Sequence, residues 1–268
     1  MSKDLIESKG TDLFSVADED ALKLMEQDAE NYVDETSSDD IAMPRITLLQ
    51  SGSKQVKKAE PEFIKGAEEG DFFNTLTKTV IEGDKGILFV PVKRRIIYLH
   101  WTDISAGGGL IENFGEDPTE FLKIIPNEKG KRRTSVITEI VKTHETFGYL
   151  VDIKNNKFHE VLISLASTNE KKQRTFNALI RSLTDRTGKP LPEYAGVYKV
   201  VSTPEKNDQG SWFTFDFKAA GYTLGVPNIG KSMYEAAKKF AEMVKKNEVE
   251  VKYEQDIAEG VDEETDVI

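Results

Sequence analysis

Residues 170–183 read Glu170-Lys171-Lys172-Gln173-Arg174-Thr175-Phe176-Asn177-Ala178-Leu179-Ile180-Arg181-Ser182-Leu183, and this stretch decides the fold expected of the chain. Phe176, Leu179, Ile180 and Leu183 fall at i, i+3, i+4 and i+7, which is one apolar face of a helix. Ser167-x-x-Glu170 fits a capping box, and Gly188 and Pro190 end the element, so a helix is predicted over 170–186. Nearly everything around it reads as strand. Upstream, Ile87-Leu88-Phe89-Val90-Pro91-Val92 is an unbroken apolar run. Arg94 to Trp101 then alternates, with Ile97, Leu99 and Trp101 on one side and Arg94, Ile96, Tyr98 and His100 on the other.

Further strands are predicted at about 134–142, 145–153 and 158–166, the last two joined by the turn Lys154-Asn155-Asn156-Lys157. Downstream lie strands at about 195–203 and 211–219, the second with Phe213, Phe215 and Phe217 on one face. A last helix at about 231–247 buries Met233, Ala237, Phe240 and Val244. Three or four strands, a helix, two strands and a helix suit a β-rich α+β fold: an OB-like five-stranded barrel with one helix between strands 3 and 4 and a C-terminal helix. A parallel α/β sheet would need helices alternating with strands throughout.

The net charge of −11 over 268 residues conceals a segregation. Residues 1–42 hold thirteen acids and three bases, and residues 254–268 hold seven acids and no base. Residues 43–253 hold 33 bases and 27 acids. The expected organisation is therefore an acidic, largely disordered arm (1–42), a single OB-like domain (43–253) and an acidic tail (254–268). Within the arm, Ala21-Leu22-Lys23-Leu24-Met25 is a weak helical pattern, and low apolar content with excess charge argues against a packed core there. No run of eighteen apolar residues predicts a membrane span, and Met1-Ser2-Lys3-Asp4-Leu5-Ile6-Glu7 is not a secretory signal. With no cysteine, disulfides, cysteine-ligated metals and thiol catalysis are excluded, and a reducing cytoplasm is the expected setting.

Gly225-Val226-Pro227-Asn228-Ile229-Gly230-Lys231-Ser232 matches the phosphate-cradling pattern G-x-x-x-x-G-K-[ST]. A P-loop enzyme also needs a later strand with a magnesium-binding acid, and after Ser232 only a helix and the acidic tail remain. His100, His144 and His159 have no partner at metal-ligand spacing, and no G-x-S-x-G element marks a nucleophile. No cofactor, no metal and no enzymatic activity are expected.

Basic clusters interleaved with aromatics are the stronger signal. They are Lys54, Lys57 and Lys58; Lys93, Arg94 and Arg95; Lys131, Arg132 and Arg133; and Lys171, Arg174 and Arg181 on the polar face of the 170–186 helix. Such cations neutralise phosphates and release counterions, giving sequence-independent affinity. Tyr98, Trp101, Tyr198 and Trp212 on neighbouring strands would stack unpaired bases.

The segment Glu254–Ile268, acidic and ending in Val267-Ile268, resembles the tail of single-stranded DNA-binding proteins. Met43-Pro44-Arg45-Ile46-Thr47-Leu48-Leu49-Gln50 with Gly70-Asp71-Phe72 is similar to a group of bacteriophage proteins, as are Tyr198-Lys199-Val200-Val201-Ser202-Thr203 and Glu205–Phe213. Members are described as single-stranded DNA-binding proteins, distantly similar to the barrel-fold protein of phage T7. The resemblance spans about 43–250 and implies sequence-independent binding of single-stranded DNA in phage replication or recombination, in the host cytoplasm. It also implies that Asp262, Glu263, Glu264, Asp266, Val267 and Ile268 recruit replication or recombination proteins and compete with DNA for the basic groove. A homo-oligomer is compatible with it, and a membrane partner is not expected. The alternatives are a phage structural or host-interaction protein without DNA binding, and a P-loop nucleotide binder.

Overall fold

The structure, a computed structural model, describes residues 43–102, 106, 108–117, 119, 123, 131–135, 137–166, 169–207, 210–249 and 251. Ten strands are described: β1 (Ile46–Leu48), β2 (Phe72–Asn74), β3 (Val80–Ile81), β4 (Ile87–Thr102), β5 (Leu110–Asn113), β6 (Lys131–Arg133), β7 (Thr138–Asp152), β8 (Lys157–Ala166), β9 (Gly196–Asn207) and β10 (Gly210–Tyr222). Helix α1 (Glu170–Ser182) follows β8, and helix α2 (Gly230–Lys245) follows β10. Strands β1, β2 and β3 form a small antiparallel sheet. The other seven form one sheet along the path β10-β9-β4-β7-β6, with β5 added to β4 and β8 added to β7.

The expected five-stranded closed barrel is not what the chain forms. The main sheet is open, and its edge strands β8 and β10 do not pair with each other. The reason is local. The segment leading into β1 lies along β8, with the Leu162 amide donating to the Pro44 carbonyl at 2.8 Å and Arg45 bridging Leu162 in parallel. Just past β1, the Gln50 side chain imitates a strand against β10. Its Nε2 donates to the Phe213 carbonyl and its Oε1 accepts from the Phe213 amide, both at 2.9 Å. The small sheet thus occupies the gap that closure would need to bridge.

Strand alternation divides the core into two layers. On one face of the main sheet Phe89, Val161, Ile163, Leu165, Tyr198, Val200, Phe215 and Phe217 pack with Ile46, Leu48 and Phe72 of the small sheet and with Phe176 and Ile180 of α1. On the other, Val90, Val92, Phe147, Tyr149, Val151, Leu162 and Val197 pack under Met233, Ala237, Phe240 and Val244 of α2. The two strands expected at 134–142 and 145–153 are one continuous strand, β7. The Lys154–Lys157 turn closes the β7–β8 hairpin with Asp152 opposite Lys157 and Asn156 at φ 52°. Helix α1 ends at Ser182, four residues short of expectation, because the Leu183 amide closes a final tight turn on the Ile180 carbonyl. Ser167, the expected capping residue, lies outside the described residues, and the Asn169 side chain accepts from the Thr214 hydroxyl instead.

Phe176 fastens α1 to the sheet. Its fully buried ring stacks on Phe217 at 3.9 Å between centroids and meets Tyr198 edge-on at 5.1 Å. Phe176→Ala is expected to lower the unfolding free energy by about 3–5 kcal/mol. Urea unfolding followed by circular dichroism checks this, with exposed Arg174→Ala within about 0.5 kcal/mol of the parent.

Candidate functional site

The polar residues of β4 meet α1 beyond an irregularity in the β4–β7 register between Pro91 and Lys93. Val92 is the extra residue, so Lys93 opposes Phe147 and Arg95 opposes Glu145. Arg94 consequently turns towards α1. Its guanidinium forks onto Glu193, Nε to Oε2 at 2.9 Å and Nη2 to Oε1 at 3.0 Å, while Nη1 donates to Asn177 Oδ1. Glu193 arrives from a single 3-10 turn, Glu193–Ala195, immediately before β9. Arg95 faces the other way, donating from Nε to Glu145 Oε2 at 2.5 Å with its guanidinium 4.8 Å over the Phe147 ring. Glu145 is completely buried.

A guanidinium only donates, so the Asn177 atom that it meets is an oxygen. Gln173 Nε2, at 2.8 Å from the same oxygen, must then be its nitrogen end. Gln173 Oε1 is left buried and without a hydrogen-bond partner. A cleft of about 420 Å³ opens here, with Arg94, Ile96, His144, Gln173, Asn177 and Glu193 among its walls. Its arginines already face carboxylates, so its chemistry suits a neutral polar donor better than a bare phosphate. Beside it, Glu170 receives Lys142 at 3.3 Å, His144 Nε2 at 3.7 Å and Arg174 at 3.5 Å. Burial holds the His144 pKa below the usual histidine range, the Lys142 charge adds to the shift, and Glu170 opposes it.

The basic and aromatic residues singled out in the sequence part company in the structure. Arg94 and Arg95 are ion-paired within the fold. Tyr198 is a core residue with its hydroxyl pushed up to about 12 by burial, and its ring is covered by Phe176. Lys93, Tyr98, Trp101 and Trp212 are half-buried, and the buried Nε1 of Trp212 has no acceptor. Lys171, Arg174 and Arg181 stand exposed along α1, a ridge about 15 Å long at 1.5 Å per residue. Arg133 is exposed on β6; the side chains of Lys131 and Arg132 lie outside the described ones. Asp262, Glu263, Glu264, Asp266, Val267 and Ile268 lie outside the described residues. Gln173, Asn177 and Glu193 carried no sequence signal, because the partner that gives them meaning, Arg94, is 83 or more residues away from the two that it contacts.

The P-loop-like stretch is a turn between an antiparallel edge strand and α2. The amides of Val226, Ile229 and Gly230 donate to carbonyls of Thr223, Pro227 and Val226, and the Ser232 hydroxyl donates to the Ile229 carbonyl. Amides committed in this way do not converge on a phosphate. Among the described residues no group of three or more metal-binding side chains is gathered, and no helix is long and apolar enough to cross a membrane.

Compared with known proteins, residues 11–250 match the model of a family described as Pam3 phage gp34-like protein. No curated protein and no solved structure matches the chain.

The depressed His144 pKa has a definite sign in stability. The folded state binds a proton at His144 less readily than the unfolded chain, so the contribution is complete above about pH 6.5 and is lost as pH falls below it. His144→Gln should therefore flatten the decline in unfolding midpoint between about pH 7 and pH 5 relative to the parent, read by thermal melts across that range.

Proposed function

The chain belongs to the Pam3 phage gp34-like family, a bacteriophage protein family, and from that premise we propose that it binds single-stranded DNA in phage replication or recombination. The observation that carries this reading is the partition of charge. A body with 33 bases against 27 acids is flanked by segments of strongly opposite sign, a layout that favours a polyanionic ligand on the body alone. The contact surface in this reading is the exposed α1 ridge of Lys171, Arg174 and Arg181, with the half-buried Tyr98 of β4 beyond it on the same face of the sheet, whereas Trp101 and Arg133 alternate onto the other face. Binding is sequence-independent because phosphate and stacking contacts read no base edge. The protein acts in this reading as a binding protein and not as an enzyme, with replication or recombination proteins recruited by the acidic tail.

One observation favours a competing reading as a phage interaction protein that binds no DNA. Arg94 and Arg95, the most conspicuous cations in the sequence, are already ion-paired to Glu193 and Glu145 within the fold.

Anisotropy titration of a labelled oligo-dT with the full chain, repeated with a duplex and across a salt series, separates the two. Preference for the single strand is expected, and Lys171→Glu/Arg174→Glu/Arg181→Glu should weaken it about tenfold or more. The same variant should reduce the salt slope by about two, at about 0.7 for each phosphate that is no longer neutralised. Absence of salt-dependent binding establishes the competing reading, and preference for duplex overturns the single-strand reading.

A further inference from the structure

Helix α2 keeps one face on the core and offers the other to solvent. That outer face bounds a cleft of about 530 Å³ lined by Glu235, Lys238, Lys239, Glu242, Met243 and Lys246, of which Met243 is an apolar side chain left 40% exposed. Counting Lys231, Lys245 and the cap Lys246, α2 carries five lysines against two glutamates. Lysine stems cover apolar surface while their ammonium groups stay in water, so such a face suits an apolar stripe bordered by acids.

The chain enters the described body beside this helix, since Met43 packs against the same core cluster as the buried side of α2. Upstream, Leu22, Met25, Ala29, Tyr32 and Val33 recur at i, i+3, i+7, i+10 and i+11, which places them within one stripe of a helix. Asp18, Glu19, Asp20, Glu26, Asp28 and Glu30 fall in the same segment, against the single base Lys23. The nine residues 34–42 reach about 30 Å when extended, more than the length of α2 at about 24 Å. The family match also starts at residue 11 and stops at 250, so it takes in this segment and leaves out the acidic C-terminal one.

From these observations we infer that residues 18–33 form an acidic amphipathic helix that docks on the lysine-edged outer face of α2 in the same chain. The apolar stripe covers Met243 and the lysine stems, and the acids pair with the lysines at the rim.

Because the chain has no cysteine, engineered pairs report the contact directly in the full-length protein. Met25→Cys with Met243→Cys should form an intramolecular disulfide under mild oxidation, about tenfold faster than Gln27→Cys with Met243→Cys, whose first cysteine is on the opposite side of the predicted helix. Adding Lys238→Glu and Lys239→Glu should slow the first pair about threefold. Unchanged melting temperatures of the reduced variants show that the body is intact. Equal rates for the residue 25 and residue 27 cysteines overturn the proposal. So does a disulfide formed only between two chains, which makes the occupant a second copy, or faster closure by Val261→Cys with Met243→Cys, which makes it the C-terminal segment.

Discussion

One inserted residue governs the far half of the molecule. Up to Val92, β4 delivers alternate residues to the two core layers, Phe89 to the α1 side and Val90 and Val92 to the α2 side. Without the irregularity at Val92, Lys93 would follow onto the α1 side and Arg94 onto the α2 side. A slip of one position reverses every side chain beyond it. Arg94 reaches Asn177 and Glu193 only because of that slip, and Arg95 lies over Phe147 for the same reason. The partner strand is adapted to it: a Cβ on Gly148, opposite Pro91, would come within 2.3 Å of the Val90 carbonyl oxygen and 2.4 Å of the Phe89 ring. Backbone and ring there cannot both retreat, so the position accepts only a hydrogen.

Beyond the slip, burial decides what the arginines do. Glu145 is fully buried, and a carboxylate withdrawn from water is tolerated only where a charge meets it. Arg95 supplies that charge at 2.5 Å. Arg94 is held less deeply, between Glu193 and the amide of Asn177, with the side chains of Arg94 and Glu193 22% and 25% exposed. The Arg95–Glu145 pair is evidence of a specified arrangement more than of added stability, since desolvation offsets most of the attraction between buried charges. A cation held in this way is already neutralised and offers little to a phosphate. The α1 cations are different: Arg174 has one partner on its own helix and remains 77% exposed as a side chain.

Elements with a regular period were legible in the sequence, and those set by distant partners were not. The stripe of Phe176, Leu179 and Ile180 located α1, and Met233, Ala237, Phe240 and Val244 located α2, because each helix writes its buried face into its own spacing. The continuity of β7 was hidden by Thr143 and His144, polar residues that look like a break, yet Thr143 is buried and both stay in register with β8, opposite Ala166 and Leu165. The open sheet was equally hidden. Closure is prevented by Pro44, Arg45 and Gln50, whose contacts on Leu162 and Phe213 span more than a hundred residues of chain. That Tyr198 lies in the core and Arg94 in an ion pair was not legible for one shared reason: residue type suggests a chemistry, while burial and pairing are properties of the whole fold.

The same geometry reframes the acidic flanks. Helix α1 lies on one face of the main sheet and α2 on the other. Met43 and Val251, the first and last described residues, both pack on the α2 side. The flanking segments therefore join the body on the face away from Lys171, Arg174 and Arg181. A sheet with a helix on each side is about 20 Å thick, from packed-layer spacings near 10 Å. The Debye length at physiological ionic strength is about 8 Å. Charges separated by the body are therefore largely screened from one another, so acids held near α2 leave the α1 ridge positive. A chain with a net charge of −11 can in this way keep a cationic face, provided its acids are kept on the side where they enter.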